Sequence, residues 1–367
     1  MRYLFPLSPW NQQRQHQKPV WVYPCHLAAY ATYLRNEGHD VVWGNRLMYK
    51  DTEGGYNGDF MYGYQDLRSD EWWLEHKYYE PKNIIKNDFQ IDVPFEKLPF
   101  PDRKFTDAKN PRWQSYGNYK YHPATHMMAS NLCWWGKCTF CVDTLKLQQG
   151  EKRGLRSVEH VMEEINDLVK HGYREVFDDS GTFPIGDWLD NFCNELIRSG
   201  LNKKIVIGCN MKPISEKVVP FKLMKEAGFR FILVGVESAN QKTIDLIKKG
   251  QESHNVVKNM KAMNDAGLEV HLTSMFGYPW ETHEDNMRTV NEIHHLLLKG
   301  YVKTAQASVF MPPRTAPPAN ADAQKYIKMV YDIYKDPRYW VRKMLDIKRW
   351  EDVTYLLRRI GHVKHAE

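Results

Sequence analysis

The sequence predicts an α/β protein centred on a parallel sheet of six strands with helices packed against it. Three observations lead there. From about residue 120, short β-branched or aromatic runs alternate with longer amphipathic stretches. A glycine stands wherever a helix stops and a strand is about to begin, at Gly172, Gly200, Gly228, Gly267 and Gly300; glycine suits the left-handed conformation that closes a helix. The connections are short, and repeated βα units so joined imply parallel strands.

The strands are read in order as "ATHMMAS" (124–130), "YREVFDD" (173–179), "KKIVIGC" (203–209), "FRFILVGV" (229–236), "LEVHLTSMF" (268–276) and "YVKTAQASVF" (301–310). Among the helices, "SVEHVMEEINDLVKHG" repeats Val158, Val161, Ile165, Leu168 and Val169 at helical spacing. Ser157 is its N-cap and Glu159 lies in its first turn. Six strands are too few for an eightfold barrel. They form a partial barrel or an open doubly wound sheet, and in either the chemistry is expected at the C-terminal strand ends.

The flanks read differently. Residues 20–45 look like strand, helix, strand. Residues 46–120 lose the rhythm: "EGGYNGDFMYGYQD" is a Gly/Tyr-rich loop, "SDEWWLEHKYY" a short helix capped by Ser69, and "DVPFEKLPFPDRKF" a Pro-rich extended linker. After residue 311, "PPRTAPPAN" marks a boundary, and the tail beyond it is helical in pattern. The expected organisation is an N-terminal segment (1–120), a central α/β domain (121–311) and a helical extension (312–367).

At 367 residues, with 42% hydrophobic and 26% charged, the chain has the composition of a soluble protein. No apolar run approaches membrane-spanning length, and "MRYLFPLSPWNQQ" turns polar too early for a signal peptide. A cytoplasmic location without membrane association is therefore expected. Net charge is +6, and residues 321–367 hold 11 Lys or Arg against 7 Asp or Glu. Arg358 and Arg359 are placed to meet an anionic partner such as a nucleic acid, or to form a solvated helical face.

The chemistry is carried by "NLCWWGKCTFC" (131–141), where Cys133, Cys138 and Cys141 are spaced C-x4-C-x2-C. In a reducing compartment, clustered thiols point to a metal or redox site rather than disulfides. A structural zinc takes four protein ligands; here no second C-x2-C pair exists, and His122 or His126 would have to supply the fourth. A [4Fe–4S] cluster also usually takes four thiolates, so three would leave one iron open to another ligand. The remaining cysteines, Cys25, Cys193 and Cys209, read as small buried hydrophobes.

These residues resemble the radical S-adenosylmethionine (radical SAM) superfamily. In that family a three-cysteine loop after the first strand holds a [4Fe–4S] cluster, and SAM chelates the fourth iron. The usual spacing is C-x3-C-x2-C, one residue shorter than here. Phe140 matches the aromatic before the last cysteine that packs near adenine. "DDSGT" (178–182) matches the strand end whose groups face the methionyl amine, which nominates Asp179, Ser180 and Gly181. "GVES" (235–238) is similar to the GxES segment and nominates Glu237 and Ser238. "FGYPWET" (276–282) resembles the GxPGET turn, with Gly277 kept and Trp280 in place of a glycine. "SVFMPPRTAP" (308–317) resembles the segment near adenine and nominates Met311.

The resemblance covers roughly residues 120–315 and implies a partial (β/α)6 radical SAM barrel with a reduced α/β segment before it and a helical tail after it. It implies an enzyme that cleaves SAM reductively and abstracts hydrogen from a small-molecule or macromolecular substrate. The electron would come from a one-electron reductant such as flavodoxin or ferredoxin. "HLAAYATYLRNEGHDVV" and "LPFPDR" resemble the cobalamin-binding domain and linker of one subfamily. Only one βα unit of that domain is readable, so cobalamin is not expected to bind as it does in longer relatives. Two alternatives are a cobalamin-assisted methyltransferase and a silent iron–sulfur or zinc protein.

Overall fold

A computed structural model describes residues 2–5, 23–43, 93–111, 113–115, 118–311 and 322–363. The strand expected at 20–22, the Gly/Tyr-rich loop, the short helix at 69–79 and the "PPRTAPPAN" boundary lie outside them. The chain divides into two compact units, residues 1–128 with 353–367, and residues 129–352.

The first unit contains β1 (Arg2–Phe5), α1 (Cys25–Asn36) and β2 (Asp40–Trp43), with β1 parallel to β2. On α1, Ala31 and Leu34 are buried against Val41, Trp43 and Phe105. The "LPFPDR" segment is tied to this helix: Asp102 N–H donates to Thr32 Oγ1 at 2.8 Å, and Arg35 reaches Asp102 at 2.8 Å. β3 (Ala124–Met127) carries His126, which is buried and bonded to Tyr119. Burial, helped by Arg103, pushes the His126 pKa down to about 3, so its imidazole is neutral.

The second unit alternates β4 (Glu175–Asp178), β5 (Val206–Met211), β6 (Phe229–Glu237), β7 (Glu269–Phe276) and β8 (Thr304–Val309) with helices. Those helices are α2 (Val142–Gln148), α3 (Val158–Lys170), α4 (Asp187–Arg198), α5 (Phe221–Glu226), α6 (Gln241–Leu246), α7 (Val256–Asp265) and α8 (His283–Lys299). The tail adds α9 (Ala323–Asp332), α10 (Pro337–Leu345) and α11 (Trp350–Val363), as the sequence pattern requires. Ser157 caps α3 by accepting from His160 N–H, and the five helix-end glycines all have positive φ, 70–95°.

The six-stranded sheet runs β3-β4-β5-β6-β7-β8 in unbroken sequence order. β4 pairs with β5, β5 with β6, β6 with β7 and β7 with β8, each in parallel. This order decides between the two architectures left open above. A doubly wound sheet reverses its strand order at a switch point. Here nothing reverses, so right-handed crossovers put every helix on one face, and the sheet is a segment of a (β/α) barrel. Phe183, Phe192 and Phe229 are fully buried between sheet and helices, with ring centroids 5.5–6.2 Å apart. Each such side chain is worth about 1.5–3 kcal/mol of burial. Cys193 and Cys209 lie in this core, as expected of apolar cysteines.

At the N-terminal strand ends, Arg230 bridges Glu175, which opens β4, and Glu269, which opens β7. The cysteine loop and the segments 178–182, 235–238 and 276–282 lie at the opposite, C-terminal end of the strands.

Candidate active site

The cysteine loop is fastened at its start. Ala129 N–H donates to Asp178 Oδ2 at 2.7 Å, and Ser130 N–H to Ser180 Oγ at 2.9 Å. Ser180 N–H donates back to Asp178 Oδ1 at 3.0 Å. Asp178 is fully buried, and that burial raises its pKa to about 7 against the pull of these donors. Ser180 therefore spends its hydroxyl on the loop backbone. Asp179, the neighbouring nominee, is half-buried beside it.

Cys133 and Cys138 are buried and Cys141 is half-buried. The Cys133 thiol lies 3.2 Å from Thr182 Oγ1, and its N–H donates to Asp143 Oδ2 at 2.8 Å. Gly181 backs directly onto it: a Cβ there would overlap Asp143 Oδ2 and stand 3.0 Å from Cys133 Cβ. Gly181→Ala is accordingly expected to cost about 1–3 kcal/mol of stability, as overpacking does. Urea unfolding checks the stability, and reduced iron uptake on reconstitution should accompany it. Burial raises the Cys138 thiol pKa and pushes that of Cys141 up to about 11. To serve as metal ligands, both would first have to lose a proton.

Two ammonium groups face these sulfurs. Lys249 donates to Glu237 Oε1 at 2.7 Å, in an ion pair with little exposure on either side. Burial alone would lower the Lys249 pKa, but Glu237 and then Cys138 hold it above the ordinary value. The pair is folded tightly: Glu237 ends β6 with φ +67, and a Cβ on Gly235 would come within 2.5 Å of Glu237 Oε1 and 2.8 Å of Lys249 Nζ. A non-glycine residue held at positive φ marks stored strain, which concentrates at functional sites. Lys212, just beyond β5, is also buried. It donates to the Gly250 carbonyl at 3.2 Å and lies 3.4 Å from the Trp135 ring centroid. No carboxylate stands within ion-pair distance of it among the described residues.

The aromatic residues of the loop hold it in place. Trp135 donates Nε1–H to the Lys248 carbonyl at 2.9 Å, and a Cβ on Gly250 would overlap its ring. Trp134 donates to the Phe183 carbonyl at 3.1 Å. Phe140 packs on the buried Ile244, Ile247, Tyr278 and Phe310 with Met275 and Trp280, and Thr139 N–H reaches the Ile247 carbonyl at 3.0 Å.

The "GYPWET" turn keeps the shape its glycine requires, with Gly277 at φ +92. Trp280 has no positive φ, so its position does not demand glycine, and its indole donates to Thr243 Oγ1 at 3.1 Å. Ser238, the other "GVES" nominee, is buried and donates to Glu281 Oε1 at 2.6 Å. Met311 is exposed at the edge of the described residues.

The structure thus gathers Cys133, Cys138, Phe140, Gly181 and Glu237 around one loop, with Ser180 and Ser238 in the supporting hydrogen bonds. Sequence reasoning missed Lys212, Lys249, Asp178, Thr182 and Glu281. "NMKP" just past the third strand was the available signal for Lys212, whereas Lys249 follows the helix Gln241–Leu246 and carried no such signal. Among the described residues no group of three or more His, Cys, Asp or Glu is gathered as a ligand set for one metal ion. Three soft thiols beside buried cations match an anionic sulfur-bound cluster in donor chemistry.

A sequence model described as the Radical SAM superfamily matches residues 127–293. The uncharacterized methyltransferase PH0819 of Pyrococcus horikoshii is 27% identical over 214 residues, which is 57% of this chain and 42% of that protein. The ribosomal protein uS12 methylthiotransferase RimO of Clostridium kluyveri is 22% identical over 171 residues, 43% of this chain and 37% of that one. The matched region is therefore less than half the length of either relative. Among solved structures, the radical SAM methyltransferase TsrM of Kitasatospora setae, with cobalamin and a [4Fe–4S] cluster bound, aligns at TM-score 0.43 and 18% identity, over 50% of this chain and 36% of its own. The cobalamin-dependent radical SAM enzyme OxsB aligns at TM-score 0.44 and 14% identity, over 70% and 34%. The part of this chain that is similar to the radical SAM superfamily is thus residues 127–293.

Proposed function

We propose that the chain is a radical SAM enzyme in which Cys133, Cys138 and Cys141 hold a [4Fe–4S] cluster and the adjoining strand ends hold SAM. The observation that carries this reading is Lys212. Burying an ammonium costs several kcal/mol. A desolvated cation–π contact returns about 2 kcal/mol, and one carbonyl adds a single hydrogen bond. Burial, followed by repulsion from Lys249, lowers the Lys212 pKa to about 8. A cluster bound by three thiolates places negative charge beside it and closes the deficit.

When bound, the cluster and SAM supply one-electron cleavage of a carbon–sulfur bond and abstraction of a hydrogen atom from the substrate. The chain's own residues do the rest. Asp178 and Ser180 fix the loop; Gly181 lets Cys133 close on the β4 end; Glu237 with Lys249 presents a buried ion pair to the polar end of SAM. Phe140, Tyr278, Trp280 and Phe310 wall the pocket with apolar surface and keep water out. The relatives' names favour transfer of a methyl-derived group as the second reading. The electron is delivered by a small flavodoxin- or ferredoxin-type protein.

Anaerobic reconstitution with iron and sulfide is expected to give about four irons and four sulfides per chain, the content of one such cluster. Zinc without sulfide would overturn the assignment. Dialysis of the same protein against hydroxocobalamin is expected to leave no stoichiometric corrinoid; tight retention would instead promote a cobalamin-assisted methyltransferase.

A further inference from the structure

Side chains alternate across a strand, and Phe276 on β7 stacks on Tyr326 of α9 with ring centroids 6.0 Å apart. Thr273 and Met275, an odd number of residues away, therefore face the other side of the sheet, the barrel interior. Gln306 and Ser308 on β8 are in register with them, and Gly235 on β6 is in register with Thr273. The row beneath, Leu233, His271 and Thr304, is closed on β7 and β8. His271 Nδ1 and Thr304 Oγ1 are bonded at 2.7 Å, both residues are buried, and Phe231 stacks on the imidazole at 5.8 Å. Above that row the filling stops. Gly235 contributes no side chain, and Thr273, Met275, Gln306 and Ser308 are all half-buried. The Thr273 hydroxyl and the Gln306 side-chain amide make no hydrogen bond among the described residues. Beside them a Cβ on Gly235 would meet Glu237 Oε1 and Lys249 Nζ, so the ion pair assigned to SAM borders the same row.

We infer that Thr273 and Gln306 form a binding site for an uncharged carboxamide group of the substrate, next to the Glu237–Lys249 pair. This rests on the radical SAM reading above, which puts SAM at that pair. The chemistry of the two side chains selects the class. A glutamine amide offers two N–H donors and a carbonyl acceptor, and a threonine hydroxyl offers one donor and accepts as well. Together they match a group that carries a donor beside an acceptor. No titratable side chain stands among Gly235, Thr273 and Gln306 or at Met275 and Ser308 above them. The charges that border the row, Glu237 and Lys249, are spent on each other at 2.7 Å. A carboxylate or ammonium entering here would bear the cost of a buried charge without a partner. Leu233 and Met275 supply apolar surface for the carbon skeleton that carries the amide.

The test uses benzamide as the probe, with benzoate and benzamidine as its anionic and cationic counterparts. Saturation-transfer NMR titrations of the reconstituted protein are expected to give saturable benzamide binding that added SAM does not displace, and no binding of benzoate. Gln306→Leu should weaken benzamide about tenfold, the effect of leaving a buried amide unpaired. Thr273→Val keeps the side-chain shape, should show the same loss, and stands in if the leucine variant does not fold. Gln306→Glu should turn the preference from benzamide to benzamidine, a reversal that a merely structural role for Gln306 would not produce. Equal benzamide binding by the variants and the unaltered protein, or binding by none of them, overturns the inference. Displacement of benzamide by SAM also overturns it, because the two side chains would then belong to the SAM site. Failure of the unaltered protein to take up iron and sulfide defeats the radical SAM reading instead, and the benzamide titrations, which need no cluster, still judge the site.

Discussion

Replacing any one of Cys133, Cys138 and Cys141 with alanine is expected to abolish the broad visible absorption of the reconstituted protein and its cleavage of SAM. The three thiols sit on one short loop, and no fourth cysteine adjoins them in sequence to substitute. Cys25, Cys193 and Cys209 are buried in apolar surroundings. Burial raises the Cys193 pKa to about 12 and that of Cys209 well above its usual value, so neither supplies a thiolate at neutral pH. Cys193→Ala should accordingly retain the cluster. Normal iron and sulfide content in the Cys133→Ala, Cys138→Ala, Cys141→Ala triple variant, measured chemically, would contradict the assignment outright.

The second large effect is on stability, at the far end of the sheet. Arg230 ties Glu175 and Glu269 together with little exposure on Arg230 or Glu175. Arg230→Ala removes the guanidinium and leaves a buried carboxylate behind. The expected loss is about 3–5 kcal/mol, the range for breaking a buried ion pair from one side. Arg230→Met combined with Glu175→Gln removes the stranded charge and should recover much of it. Urea unfolding of the single and combined variants measures both. Equal losses in the two would mean that packing of the arginine stem, rather than charge, holds this end.

Much of this was legible because it follows from backbone periodicity. The six strands, the Ser157 cap and the five helix-end glycines each depend on residues close together in the chain. Periodicity alone left barrel and doubly wound sheet open, because strand order is a long-range property; the motif resemblance implied the barrel, and the observed order agrees. β1 went unread since four residues, "RYLF", are too few to show an alternation. In the site, the cysteines announced themselves by local spacing, whereas Lys212, Lys249 and Tyr278 meet the loop only after three different strands have folded. Within "DDSG" the structure gives the clamping role to Asp178, whose side chain receives the Ala129 N–H at the start of the loop. Trp280 broke the family pattern in sequence; its backbone shows that the turn does not depend on the missing glycine.

The most direct test of the central claim is formation of 5′-deoxyadenosine. Anaerobically reconstituted protein, given SAM and a strong one-electron reductant, should release 5′-deoxyadenosine and methionine in equal amounts, and the Cys138→Ala protein should release neither. A fully loaded protein that binds reductant-derived electrons yet leaves SAM intact would contradict the account and return the chain to the class of silent iron–sulfur proteins.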